Sequence, residues 1–93
     1  MYCLLYDIPS QKTRSRLVRL CKDNGLKRIQ KSCFWGTLSS PMLARMEAAL
    51  QQLAKPDDQI CLIPVAQAEA KQIKSWGKAT DIPFETGNCV CFM

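Results

Sequence analysis

The first ten residues constrain this chain more than any other segment. Met1 to Tyr6 carries no charged or strongly polar side chain, and Asp7-Ile8-Pro9-Ser10 closes the run. A short apolar run bounded by turn residues reads as a central strand buried on both faces. Pro9 holds Ile8 in an extended conformation, and the Ser10 hydroxyl is placed to accept from the first free amides of a helix. The chain therefore opens as a buried strand that feeds directly into a helix.

From Gln11 to Asn24, Leu17, Val18, Leu20 and Cys21 form an apolar stripe at helical spacing, with Arg14, Arg16, Arg19 and Lys22 at other angles. Asn24-Gly25 ends the helix, Gly25 suiting the left-handed cap position. Leu26 to Leu38 is strand material, with Ile29, Cys33 and Trp35 on one parity and Arg28, Gln30, Ser32 and Phe34 on the other. Its length predicts a break or bulge near Gln30 to Ser32, which makes two closely linked strands. A second helix is expected after Ser39-Ser40-Pro41, with Ser40 as cap, a buried stripe of Met42, Met46, Ala49, Leu50 and Leu53, and a stop at Lys55-Pro56-Asp57-Asp58. Gln59 to Val65 reads as a strand in which Pro64 marks an end or an edge. Beyond it, Ala66 to Trp76 suits a short helix, Gly77 to Gly87 a loop and Asn88 to Met93 a last short strand.

The order strand, helix, strand, strand, helix, strand predicts an α+β fold of the ferredoxin-like type: a four-stranded antiparallel sheet with two helices on one face, plus a C-terminal strand. Ninety-three residues suit a single domain, with a core over 1–65 and a tail over 66–93. With 47% hydrophobic residues, so small a unit leaves apolar surface that a second copy would cover, so a homodimer is expected. No apolar run approaches the roughly 20 residues of a membrane span, and no basic leader precedes the first strand, so a cytoplasmic location and no membrane partner are expected. In that compartment the six cysteines read as free thiols. Cys3, Cys21, Cys33 and Cys61 lie in apolar patterns and are expected to pack in the core. Cys89-x-Cys91 lacks a companion pair and the chain has no histidine, which argues against structural zinc.

The net charge is +5, and Lys12, Arg14, Arg16, Arg19, Lys22, Lys27, Arg28 and Lys31 crowd into one stretch of the chain. Such a stretch is either a solvated helix surface or a face that binds phosphates.

Four segments in order then carry a resemblance: Tyr6-Asp7-Ile8, Arg14-x-Arg16, Gly25-Leu26-x-Arg28-Ile29-Gln30-x-Ser32-Cys33-Phe34, and Asp58-x-Ile60-x-Leu62-Ile63-Pro64. Together they resemble the CRISPR-associated protein 2 family over about the first 65 residues. The resemblance implies a symmetric homodimer that partners the CRISPR integrase, the first adaptation protein, and helps hold duplex DNA during spacer acquisition. It also implies a metal-dependent endonuclease acting on single-stranded RNA or on DNA. Two other readings stand beside this one: a ribonuclease toxin resembling virulence-associated protein D, and a non-catalytic nucleic-acid-binding scaffold.

Asp7 is the candidate catalytic residue and ligand for Mg²⁺ or Mn²⁺, since a hard cation needs only one or two carboxylates beside water and phosphate oxygens. Its alternative role is that of a turn residue before Pro9. Lys12, Arg14, Arg16, Arg19, Arg28 and Lys31 are the candidate nucleic-acid contacts, arginine offering paired donors that lysine lacks. Ser10, Gln30, Ser32 and Phe34 are candidate supporting residues, Ser10 chiefly as a helix cap and Phe34 as core or dimer interface. Trp35 and Trp76 read as packing residues, with base stacking as the alternative.

Overall fold

The computed structural model describes residues 1–74, 76, 80–82 and 90–92. Strand β1 (Tyr2–Asp7) leads into helix α1 (Gln11–Asp23), followed by β2 (Lys27–Gln30), β3 (Cys33–Gly36), α2 (Ser40–Leu53), β4 (Gln59–Pro64) and a short α3 (Gln67–Ala70). Strands β5 (Thr80–Ile82) and β6 (Val90–Phe92) follow. The main sheet has the order β2-β3-β1-β4, and every pairing in it is antiparallel. Two helices cross over one face of this sheet, the ferredoxin-like arrangement that the order of elements predicts.

The period-2 geometry of β1 sends Leu4 and Tyr6 to the helix side, where they meet Phe34 of β3 and Leu17, Cys21 and Met46 of the two helices. Leu4, Leu17, Phe34 and Met46 are fully buried. Helix α1 starts where Ser10 Oγ accepts from the Thr13 amide at 3.3 Å. It ends with Gly25 at φ +80°, a conformation that costs glycine little. Gly36 serves packing: a Cβ there would lie 2.7 Å from Leu26 Cδ2 and 3.3 Å from Leu26 Cα, so its absence lets the end of β3 lie against Leu26.

The break falls where expected, between Gln30 at the end of β2 and Cys33 at the start of β3, while the β2–β3 register shifts just before it, between Arg28 and Gln30, and β3 ends at Gly36, short of the expected Leu38. The cap of α2 is Ser39 and not Ser40: Ser39 keeps extended backbone and its Oγ accepts from the Met42 amide at 3.4 Å. Ser40 is drawn into the first turn, which tolerates Pro41 because that position lacks an intrahelical acceptor for its N–H.

The opposite face of the sheet departs from expectation. The register places Cys3, Leu5 and Asp7 of β1 there, beside Cys33 and Trp35 of β3 and Gln59, Cys61 and Ile63 of β4. Ala70 of α3, with Val65 and Ile73 around it, seals Trp35 to 1% exposure. Four residues of helix cannot reach farther along the sheet, so Leu5 remains 40% exposed and Ile63 38%. β1 is thus fully buried on the helix face alone, and Cys61, beside Leu5 on this open strip, is exposed rather than part of the core. Trp76 does not pack either, being 78% exposed. Within the segment expected to be a loop, Thr80–Ile82 forms β5, paired antiparallel with β6; most of 77–87, together with Cys89, lies outside the described residues. Among the described residues no helix is long and apolar enough to cross a membrane.

Candidate carboxylate site and nucleic-acid interface

Asp7 is the last residue of β1, where the apolar run gives out and the strand projects past the core. Its side chain is exposed, and among the described residues the carboxylate has no hydrogen-bond or ion-pair partner. It borders two depressions. One, of about 570 Å³, lies on the β4 side and includes Leu5, Asp58, Gln59 and Cys61. Asp58 is committed locally, since its Oδ2 accepts from the Lys55 amide at 3.0 Å and fastens the turn after α2.

The other depression, of about 550 Å³, lies between the end of β1, the first two turns of α1 and the β2–β3 turn, and it is basic. Arg14, Arg28 and Lys31 line it together with Gln11, Ser15 and Ser32. The α1 contribution follows from helical spacing, because positions 11, 14, 15 and 18 share one face. The neighbouring face carries Lys12, Ser15, Arg16 and Arg19 around a smaller dip of about 280 Å³. The basic stretch of sequence thus splits between a dip lined by α1 alone and a pocket beside Asp7 that three elements border.

Two of the pocket's cations are held in place. Arg14 Nη1 donates to the carbonyls of Ile8 at 2.7 Å and Pro9 at 3.0 Å, which ties the guanidinium to the loop after Asp7. Arg28 lies over the Phe34 ring, 5.2 Å from its centroid, and its Nη2 donates to the Tyr6 hydroxyl at 3.2 Å. Tyr6 in turn donates to the Lys31 carbonyl at 3.1 Å, while its amide donates to the Ser32 carbonyl at 3.2 Å. One buried tyrosine therefore clamps the β2–β3 turn to the end of β1.

A family model described as CRISPR associated protein Cas2 matches residues 1–73. The chain belongs to the Cas2 family. It is 34% identical over 76 residues to the CRISPR-associated endoribonuclease Cas2 of Korarchaeum cryptofilum, covering 81% of this chain and 82% of that one. It is 32% identical to a CRISPR-associated endoribonuclease Cas2 of Francisella tularensis subsp. novicida, covering 82% and 78%. The fold matches the crystal structure of Streptococcus pyogenes Cas2 with a TM-score of 0.72 at 20% identity, over 82% of this chain and 98% of that one. A Thermus thermophilus protein superposes with a TM-score of 0.65 at 32% identity, over 70% and 79%.

Against the sequence-based expectations for this Cas2 chain, Asp7, Arg14, Arg28, Lys31 and Ser32 are brought together around the basic pocket, and Lys12, Arg16 and Arg19 around the adjacent helix face. Ser10 is engaged as the helix cap. Phe34 is fully buried and reaches the site only as the platform under Arg28, and Gln30 is exposed on β2 away from the pocket's lining. Tyr6, Gln11 and Ser15 are members that sequence reasoning missed. For Gln11 and Ser15 the signal was present, as both share a helical face with Arg14. For Tyr6 it was a lone hydroxyl inside an apolar strand, which needs a partner when buried.

The donor set fits a hard divalent cation held by few protein ligands. Asp7 offers an unpartnered, exposed carboxylate, whereas no cluster of three or more His, Cys, Asp or Glu side chains occurs among the described residues. An all-protein cage is excluded among them, but a site completed by water, phosphate and a second carboxylate is compatible with these ligands.

Proposed function

We propose that this protein is a spacer-acquisition subunit that works as a homodimer beside the CRISPR integrase in the cytoplasm, and that it cleaves RNA or DNA with Mg²⁺ or Mn²⁺ at Asp7. The observation that carries this reading is the free Asp7 carboxylate on the ridge beside the pocket of Arg14, Arg28 and Lys31. A metal-binding carboxylate on a ridge beside three cations suits cleavage of a nucleic-acid strand, with the scissile phosphodiester at Asp7 and a neighbouring phosphate of the strand held by the cations. A divalent ion bound there would polarise a phosphate oxygen and acidify a bound water. In this reading Lys12, Arg16 and Arg19 hold the backbone beyond the scissile bond, as sequence-independent contacts.

The dimer is supported by the open strip of Leu5, Cys61 and Ile63 on the sheet face that carries Asp7. Covering that strip with a second copy would remove exposed apolar area and bring two Asp7 side chains toward one axis. Residues 66–93 would take part in pairing the two chains. A twofold arrangement supplies the second carboxylate that a single chain lacks.

The test is cleavage of fluorescent single-stranded RNA and duplex DNA by the purified protein with Mg²⁺ or Mn²⁺, beside Asp7→Asn. Because Asp7 is exposed and unpartnered, the variant should fold normally and bind nucleic acid, while cleavage falls by roughly a hundredfold or more. Wild-type protein that cuts nothing with either ion, or a variant that cuts at the wild-type rate, would refute the catalytic assignment. It would leave the non-catalytic scaffold. A strictly monomeric mass by light scattering would refute the dimer.

A further inference from the structure

This inference rests on the reading that the protein binds nucleic acid, and it concerns which phosphate the pocket beside Asp7 takes. The basic pocket gathers groups from the end of β1, from α1 and from the β2–β3 turn, whereas the neighbouring dip is lined by α1 alone. A depression of about 550 Å³ bordered by a strand end, a helix and a hairpin turn has room for one nucleotide end, whose phosphate can be met from several directions.

We infer that this pocket binds a phosphomonoester, the terminal phosphate of a nucleic-acid strand. Among the described residues, three cationic side chains line it and Asp7 is the one acid at its border. A terminal phosphate carries about −1.5 to −2 charges at neutral pH and three acceptor oxygens, whereas an internal phosphodiester carries one charge and two free oxygens. The excess of cations matches the dianion. Preorganisation favours the same ligand: the Ile8 and Pro9 carbonyls fix Arg14, and Tyr6 and Phe34 fix Arg28, so little side-chain freedom is lost on binding. Gln11, Ser15 and Ser32 add hydrogen-bonding groups, and Val18 offers an apolar wall to the terminal sugar.

Fluorescence anisotropy with one short single-stranded oligonucleotide, carrying a 5′-phosphate, a 3′-phosphate or neither, tests this in EDTA, where no cleavage intervenes. A phosphorylated end should bind about tenfold more tightly than the unphosphorylated strand, the gain of one well-made charge-assisted contact. Lys31→Ala and Arg28→Met should each erase most of that preference, whereas Arg16→Ala should weaken all three strands alike. A free nucleoside monophosphate as competitor separates the two sources of such a group: it displaces the phosphorylated strand if the phosphate alone is read, and fails to if the strand is needed as well.

Equal binding of all three oligonucleotides overturns the terminal-phosphate assignment and leaves the nucleic-acid reading standing. A preference that survives both pocket variants overturns the location. Absence of binding by any strand overturns the nucleic-acid reading itself, and this inference with it.

Discussion

Tyr6→Phe removes a single oxygen from the residue that joins the end of β1 to the β2–β3 turn. In the wild-type protein Tyr6 is 7% exposed, and its hydroxyl donates to the Lys31 carbonyl and accepts from Arg28. Each such bond contributes about 0.5–1.5 kcal/mol net, and the Arg28 bond lies toward the lower end because the guanidinium is exposed. The ring remains, so packing against Phe34 at 6.3 Å between centroids is unchanged. The expected loss is about 2 kcal/mol. For a domain of this size that lowers Tm by about 10 °C, read by circular dichroism and checked as a shift in urea midpoint without a change in slope. Arg28→Met should cost about 1 kcal/mol, and the double variant should lose less than the sum, because both changes break the same bond. A Tyr6→Phe protein that melts within about 2 °C of wild type, or strict additivity with Arg28→Met, would refute the role given to this hydroxyl.

Gly36→Ala should destabilise by about 1–3 kcal/mol, since its new methyl meets the buried Leu26 at both side chain and backbone; chemical denaturation measures it. Burial, opposed in part by Arg28, pushes the Cys21 thiol up to about 12, and burial together with the Cys3 thiol at 3.3 Å does the same for Cys33. Iodoacetamide at pH 8 followed by peptide mass mapping should therefore label exposed Cys61 well before Cys21 or Cys33. The same shifts set a direction for stability. The unfolded chain releases these protons near the ordinary value of 9.0 while the folded chain keeps them, so the stability they carry is complete below pH 9 and is lost between pH 9 and about 12. Urea midpoints should be lower at pH 10 than at pH 8.

Much of this architecture was legible from local patterns. The apolar run before Asp7, the Asn24-Gly25 stop and the over-long strand segment from Leu26 each force a local conformation, and together they give the order of elements from β1 to β3. What stayed hidden depends on partners distant in sequence. The Tyr6 hydroxyl finds Lys31 and Arg28 only once β1 and β3 pair. The exposure of Leu5 and Cys61 depends on how far four residues of α3 reach across a sheet, which no periodicity records. Among the site residues, Asp7 and the arginines were visible as charges at element ends. That Arg14 and Arg28 are anchored, while Arg16 and Arg19 sit exposed on the outer face of α1, emerges only from the packed loop and turn around them.

The claim that two copies join their opening strands around one cation is tested most directly by counting that ion. Titration of the purified protein with Mn²⁺, with free ion followed by electron paramagnetic resonance, should saturate at one tightly bound ion per two chains, and Asp7→Asn should abolish that binding. One ion per chain, no tight binding, or a variant that binds like wild type would contradict a shared site at Asp7.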